Sequence, residues 1–529
     1  PAVMLLTGAH DGRVNPAHSR KMTARLQAAT ASKEPVLLRT SGNSGHGRGT
    51  ALNERIAQVV DVYSFLFERL GIDYSLVARG PWAGAMTPNS ATVKARLARE
   101  GLTARLALSG NPLFTGAKFT APVRPRSNEY FIASFPLHGL KPDMTYHYAL
   151  EVDGKLERAK RGQFRTFPTG PASFSFAYAS CAKTASTSEV FDSIRENKPL
   201  FYMNVGDFHY QNLTNSLVDK FREAYDLVLT SPQQSDLYRS TAFFYMWDDH
   251  DYGGNNSNRR ATSHRAARVA YHEYAPHYPL AEPIGEKPIY QTFSVGRAKF
   301  IVTDLRSERD DPRKRDDAEK TMMGAQQKAW FKNELLSARD KYPLIFWVSS
   351  VPWLGIRGSN YYRVPTNYYG FVHHTNFPGV APTNRPGRSR RAPGADEDHW
   401  SAFATERREI CDFVVSNDIK GLTILHGDAH MFGADDGSNG DFSTSGGFRV
   451  PVLCGGPLDQ DPSIKGGPYS HGVYRVRRGE GGFGFVTVTD RGDRIDVRYS
   501  GRTSRNEEKI AMEFTVPVSK SMIQTRAGP

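Results

Sequence analysis

The run MWDDHDYGGNN (246–256) sets three carboxylates and an imidazole in four consecutive positions, directly behind the apolar residues TAFFY (241–245). Adjacent carboxylates repel one another and hold on to their protons unless cations compensate them. The same arrangement recurs along the chain. FSFAYA ends in SCA, which places Cys181, and LFYMNV ends in GDFHY, which places Asp207, His209 and Tyr210. KFIVT ends in DLR, with Asp304 and Arg306, and LTIL ends in HGDAH, with His426, Asp428 and His430. Carboxylate, imidazole, amide, phenolate and thiolate are donors that hold two hard-to-borderline cations, with carboxylates as bridges. Two cations roughly 3.5–4 Å apart clamp a phosphate and activate a water for in-line attack. The alternative for the whole set is an ion-pair network without metal. Taken singly, Cys181 reads as a small packed residue, Tyr210 as a rim aromatic, and Arg306 as a partner of Asp304.

Side chains from distant segments converge only if the elements carrying them share a sheet edge. From about residue 172, short apolar runs (FSFAYA, LFYMNV, AFFYMW, KFIVT, PLIFWV, LTIL) alternate with helical periodicity near 187–197, 214–230, 258–275, 324–340 and 402–416. That alternation predicts an α/β core, in which ligands bind beyond the carboxyl ends of the strands. A β-rich end (FRVPVLCG, HGVYRVRR, FGFVTVTD, RIDVRYSG, KIAMEFTV) completes it, with the RGD of 491–493 as a hairpin turn. Residues 80–170 alternate apolar and polar positions with closely spaced turn signals, a β-sandwich pattern of fibronectin type. Residues 1–73 read strand–helix–strand–helix with a glycine-rich loop SGNSGHGRG, half of a doubly wound domain. The stretch from 356 to about 400 has no periodicity and reads as a lid or a disordered loop.

The 529 residues are 39% hydrophobic and 23% charged, with a formal net charge of +13, as expected of a soluble protein with phosphate-bearing or polyanionic partners. The basic loop RPGRSRRAPG (385–394) has no interleaved aromatics, so no specific nucleic-acid motif is present. No apolar run has the length of a membrane span. Cys181, Cys411 and Cys454 are too few and too scattered for a disulfide framework. The chain opens at Pro1 inside an apolar run, which reads as a truncated or processed start, so no signal peptide can be assessed.

ASC (179–181), GDFHY (206–210), WDDHDYGGNN (247–256), DLR (304–306) and GDAH (427–430) stand in the order and context of the alkaline phosphatase D (PhoD-like) metallophosphatases. WAGAMTPNSATVKARL (82–97) resembles the domain that precedes the catalytic part of that family, and the likeness covers about residues 78–515. It implies a metallophosphoesterase-like sheet core flanked by helices over 172–520, preceded by the β-sandwich over 78–170. It also implies Fe(3+) and Ca(2+), with Cys181, Asp207 and Tyr210 on the iron. Asp249, Asn255, Asp428 and His430 would complete the metal site, and His250 and Asp248 would lie near the phosphate. Periplasmic or secreted localisation goes with the family. Phe208-His209 replaces the usual Tyr-Ile, and Gln211 stands where a glutamate often follows.

AVMLLTGAHDGRVNPAHSRKMTARLQ and PVLLRTSGNSGHGRGT resemble the last segment of a prolyl oligopeptidase, a partial α/β-hydrolase fragment. By that resemblance Asp11 and His46 occupy the acid and base positions and Arg13 a substrate-binding position. The chain contains no G-x-S-x-G nucleophile elbow. The leading expectation is therefore metal-dependent hydrolysis of phosphomonoesters or phosphodiesters by activated water, with Arg306 as a bidentate donor and His250 positioning phosphate or protonating the leaving group. A serine peptidase completed by a missing serine-bearing part is the second. A basic module that binds phosphate-rich polymers without metal is the third.

Overall fold

Runs such as FSFAYA and LIFWVS are apolar at every position, and such strands are stable only when both faces are covered. The computed structural model, which describes residues 1–47, 50–70, 75–280, 288–355, 368–372, 398–519 and 522, shows how they are covered. Two sheets lie face to face. The nine-stranded sheet runs Glu508–Pro517, Arg494–Thr503, Gly482–Asp490, Phe174–Ala179, Phe201–Val205, Ala242–Met246, Val77–Gly84, Ser90–Leu97, Ile132–His138. The eight-stranded sheet runs Gln291–Val295, Ala298–Val302, Leu344–Ser349, Leu422–His426, Val452–Gly455, Phe432–Asp435, Val473–Arg475, Gly370–Val372.

The period-2 alternation of a strand assigns each side chain to one layer. Phe176 and Phe201 of the first sheet meet Phe300 and Phe346 of the second, with ring centroids 5.4–5.5 Å apart. Their neighbours Ala177, Tyr202 and Tyr245 point outward, onto helices Val190–Glu196, Val218–Thr230 and His264–Tyr274. In the second sheet Ile301, Trp347 and Ile424 point outward, onto helices Gly324–Arg339 and Ala404–Ser416. The result is four layers, helix–sheet–sheet–helix. Truncating one of the central phenylalanines to alanine costs about 3–5 kcal/mol.

In the centre of the first sheet Phe174–Ala179, Phe201–Val205 and Ala242–Met246 are parallel, and in the second Ala298–Val302, Leu344–Ser349 and Leu422–His426 are parallel. The sheet edge expected from sequence is thus shared between two sheets. The strands of 77–170 also divide: Val77–Gly84 pairs with Ala242–Met246 through Gly84 and Phe243, so three of them extend the nine-stranded sheet. The others form a five-stranded antiparallel sheet around Thr145–Val152. The RGD is the turn between Gly482–Asp490 and Arg494–Thr503.

Residues Pro1–Leu76 form a separate compact unit, and Val77–Pro529 the other. In the first, parallel strands Val3–Gly8 and Val36–Ser41 carry helices Ala17–Ala29 and Leu52–Leu70. Helix Leu52–Leu70 has no buried residue, and its Ile56, Val59, Val60 and Tyr63 are more than half exposed. The basic loop at 385–394 lies outside the described residues, as does the aperiodic stretch from 356 apart from 368–372 and 398–400. Among the described residues no helix is long and apolar enough to cross a membrane.

Candidate metal centre

The carboxyl ends of the parallel strands place the sequence-predicted residues together. Four of them, Cys181, Asp207, Asp428 and His430, have φ between 54° and 61°, the left-handed region that non-glycine residues seldom adopt. Such conformations persist where the surroundings over-determine them and cluster at functional sites. The two Gly-Asp pairs have a steric reason. A Cβ on Gly206 would lie 2.5 Å from the Asp248 Cβ, and one on Gly427 would lie 2.5 Å from the Ser180 hydroxyl. Glycine lets neighbouring strand ends close on one another, and the aspartate that follows is carried into the gap.

Asp207 is the hub. Its Oδ2 accepts from the Tyr210 hydroxyl at 2.7 Å and lies 3.4 Å from Cys181 Sγ, while Oδ1 accepts the His250 backbone N–H at 3.3 Å. The Tyr210 hydroxyl is 3.1 Å from His430 Nε2. His430 Nδ1 lies 2.6 Å from the Asp461 carbonyl, to which it donates, so Nε2 presents a lone pair to the cluster. His250 stacks on Tyr210 with centroids 4.0 Å apart, and its Nδ1 lies 2.6 Å from Asn212 Oδ1. Donor atoms of Cys181, Asp207 and His430 all lie within 4.8 Å of one another, and so do those of Asp207, Asp249 and His250. Asp207 belongs to both groups, as a bridging carboxylate would.

The electrostatics fit a cation centre. Burial, then Asp249, Asp248 and Asp251, push the Asp207 carboxyl well above the usual range. Burial, then Asp207, does the same to the Cys181 thiol and the Tyr210 phenol. Burial holds His430 at about 4, keeping the imidazole neutral. Acids that keep their protons only because their charges cannot be buried give them up to a bound cation, and a neutral imidazole is the form that ligates. Thiol, phenol, imidazole and carboxylate together match a borderline or transition metal. Asp248 Oδ2 is buried and has no hydrogen-bond partner among the described residues.

Arg306 differs from the expectation. It is fully buried, and its fork already holds the Asp398 carboxylate at 2.8 and 2.9 Å while Nε holds Asp248 at 2.5 Å. With Ser350 also donating to Asp248 at 2.7 Å, Arg306 fixes the DDHD turn and has no fork to offer a phosphate. Nor does its side chain pair with Asp304, which accepts from Trp247 Nε1, Ile289 N and Ser307. Asp251 accepts from Phe208 N, Tyr245 and Asp248 N, and so also anchors the turn. His209 is buried against Phe221 and Tyr225, and His426 bonds Tyr469; both are core imidazoles. Asn255 is exposed and lines a shallow hollow with Thr214, Asn258 and Thr262, so the expected ligand is turned to solvent. Its neighbour Asn256 instead donates its backbone N–H to Asp249 at 2.6 Å.

Asp428 is reached from two sides by residues that sequence reasoning missed. Lys465 Nζ lies 2.6 Å from its Oδ1 and His399 Nε2 3.3 Å from its Oδ2. Burial opposes the charge of Asp428, yet Lys465 and His399 hold its carboxyl well below the usual range. Asp398 is the third missed residue: it ties Arg306 to Arg309, with Arg309 Nη2 at 2.6 Å.

In the amino-terminal unit His46 Nδ1 sits 2.9 Å from Asp11 Oδ2, and Asp11 also accepts the backbone N–H groups of Arg13 and Val14 at 2.9 Å. The expected acid–base pair is formed. The Arg13 side chain is exposed.

Comparison with known proteins accords with both halves. Residues 1–73 match the model of the Prolyl oligopeptidase family, and a prolyl endopeptidase of Elizabethkingia miricola is 44% identical over 72 residues, 14% of this chain and 10% of that protein. Alkaline phosphatase D of Bacillus subtilis (strain 168) is 21% identical over 335 residues, 55% of this chain and 52% of that protein. The chain therefore spans about a tenth and about half of the length of these two relatives. A solved structure of PhoD superposes with a TM-score of 0.65 over 84% of this chain and 91% of that one, at 17% identity, which shows a shared fold. The PhoD-like phosphatase model matches residues 176–464, more than half of the sequence and the whole span of the strand-end cluster: the chain belongs to the PhoD-like phosphatase family.

Proposed function

We propose that this chain hydrolyses phosphomonoesters or phosphodiesters with the help of two cations, Fe(3+) and Ca(2+) as the family resemblance implies. The observation that carries the reading is Asp207, shared between two donor groups at the strand ends. Cys181, Tyr210, His430 and Asp207 would hold the iron, since thiolate and phenolate are ligands for a transition metal. Asp207 and Asp249 would face the second cation, with Asp428 close by. Bound cations supply Lewis acidity toward the phosphoryl group and lower the pKa of water.

The chain's own residues do the remaining work. Arg306 and Ser350 lock Asp248, and with it the turn that aims Asp249 and His250. Asn212 Oδ1 accepts from His250 Nδ1–H and fixes the ring, which leaves Nε2 to present a lone pair to the site. Burial lowers the His250 pKa and keeps the ring neutral, the form that ligates a cation or accepts a proton from water.

Elemental analysis of the purified protein, beside hydrolysis of aryl phosphate mono- and diesters, tests the reading. A transition metal, a visible phenolate-to-iron band and turnover are expected, with the band bleached in Tyr210→Phe and shifted in Cys181→Ala. A colourless, fully active protein loaded with zinc or magnesium alone overturns the iron assignment.

A further inference from the structure

The candidate site is rich in carboxylates, so an anionic substrate needs a fixed positive charge at the opening. Among the described residues, the guanidinium groups near it are unsuited. Arg306 and Arg309 are fully buried and held by Asp248 and Asp398. Among the described residues, the half-buried members of the site are Tyr210, His250, His430 and Lys465, and of these Lys465 alone carries a full positive charge. Its side chain is 29% exposed, against 7% for the Asp428 it contacts, so the ammonium stands between a buried carboxylate and solvent.

The loop that carries Lys465 is stitched to the strand-end loop by alternate residues. The Asp461 carbonyl accepts from His430 Nδ1, Ser463 N–H donates to the His430 carbonyl at 3.2 Å, and Lys465 Nζ meets Asp428 at 2.6 Å. These three contacts hold the loop against the strand end and fix where Lys465 stands. An ammonium has three donors, and among the described residues this one makes the single hydrogen bond to Asp428. Two N–H groups remain to receive an oxyanion. From this position the charge also acts on Cys181, Asp249, His250 and His430, the groups around which a substrate phosphate would sit.

We propose that Lys465 binds the phosphoryl oxygens of the substrate at the mouth of the site, a role that rests on the phosphoesterase reading. Asp428 then serves to position the ammonium. The alternative is that Lys465 only balances the charge of Asp428.

Full-length wild-type protein, Lys465→Gln and Lys465→Arg are compared by metal analysis, calorimetric titration with inorganic phosphate, and kinetics on an aryl phosphate. Lys465→Gln should keep its metals and bind inorganic phosphate about 10–100-fold more weakly, the loss expected for hydrogen bonds to a charged group. Its KM should rise by more than kcat falls, and Lys465→Arg should recover most of the phosphate affinity. Unchanged phosphate affinity in Lys465→Gln overturns the proposal, and so does loss of metal, which assigns Lys465 to charge balance alone. Phosphate binding is read independently of turnover: a protein that binds phosphate through Lys465 but cleaves no ester upholds this role and refutes the phosphoesterase reading.

Discussion

Asp11 with His46 and Asp207 with His430 are both acid–imidazole sets placed just after a strand, one in each unit of the chain. The first is a single ion pair at 2.9 Å whose imidazole is 47% exposed. The second is buried among groups from several strands of two facing sheets. Asp11 is held at about 2 by the Val14 N–H and then by His46, so it stays charged with ordinary partners. Among the described residues Asp207 has no cationic side chain bonded to it and is crowded by other carboxylates, so it keeps its proton unless a cation compensates it. The same residue types therefore give different chemistry, and convergence and burial make the difference. Two strands can bring an acid to a base. Six strand ends in two sheets can build a centre.

The largest effect that would sharpen this contrast is on stability. Asp398→Asn leaves the buried Arg306 and Arg309 without their shared carboxylate and should cost the 77–529 unit about 3–5 kcal/mol. Denaturant titration reads this directly, and Asp11→Asn should give no measurable change in the same experiment. An Asp398→Asn protein as stable as wild type would remove Arg306 from its positioning role.

Acidification should also separate the units. Burial holds His209 at about 3 and His426 at about 4, below the ordinary histidine value. Their folded pKa values are depressed, so the stability they contribute is complete above about pH 6.5 and is lost as pH falls toward 4. At pH 5 each costs at most about 2 kcal/mol. Asp11 begins to lose its contribution only below its unfolded value of 3.8. Thermal melts between pH 7 and 5 should therefore show the 77–529 transition moving down while 1–76 stays put. A His209→Phe protein with an undiminished pH slope would contradict this source.

The smallest expected effect is none. Removing residues 1–76 should leave metal content and phosphate-ester turnover within about twofold, since no strand-end motif of the two large sheets lies there. The full chain should not label with an active-site fluorophosphonate, because its sequence holds no G-x-S-x-G elbow to give His46 a serine to deprotonate. Labelling that disappears in His46→Ala would reveal a nucleophile in the amino-terminal unit.

Much of the candidate cluster is legible in the sequence because its residues follow buried strands, whose continuous apolar runs announce both the element and its end. Cys181, Asp207, Tyr210, Asp249, His250 and His430 were found that way, and the residue spacing of GDFHY and GDAH survives as geometry. Two facing sheets in place of one edge were not legible, because a strand buried on both faces shows no preference for its sheet. Arg306 was misread for a related reason. Its partner Asp398 lies 92 residues away in an aperiodic stretch, so nothing local shows that its fork is filled. Lys465 sits in a glycine- and proline-rich loop well past the end of Val452–Gly455, and only the contact with Asp428 gives it meaning. His399 followed Asp398 into the same blind region, although an Asp-His pair beside a buried tryptophan was a usable signal.

The most direct test of the account is elemental analysis of Asp207→Asn beside Asp11→Asn, each purified as the full chain. Asp207→Asn should lose most of its bound metal and all but a small fraction of its phosphate-ester turnover, more than the roughly 10–100-fold typical of losing a group that merely supports a ligand. Asp11→Asn should match wild type in both. An Asp207→Asn protein that retains its metals and its rate would contradict the centre described here.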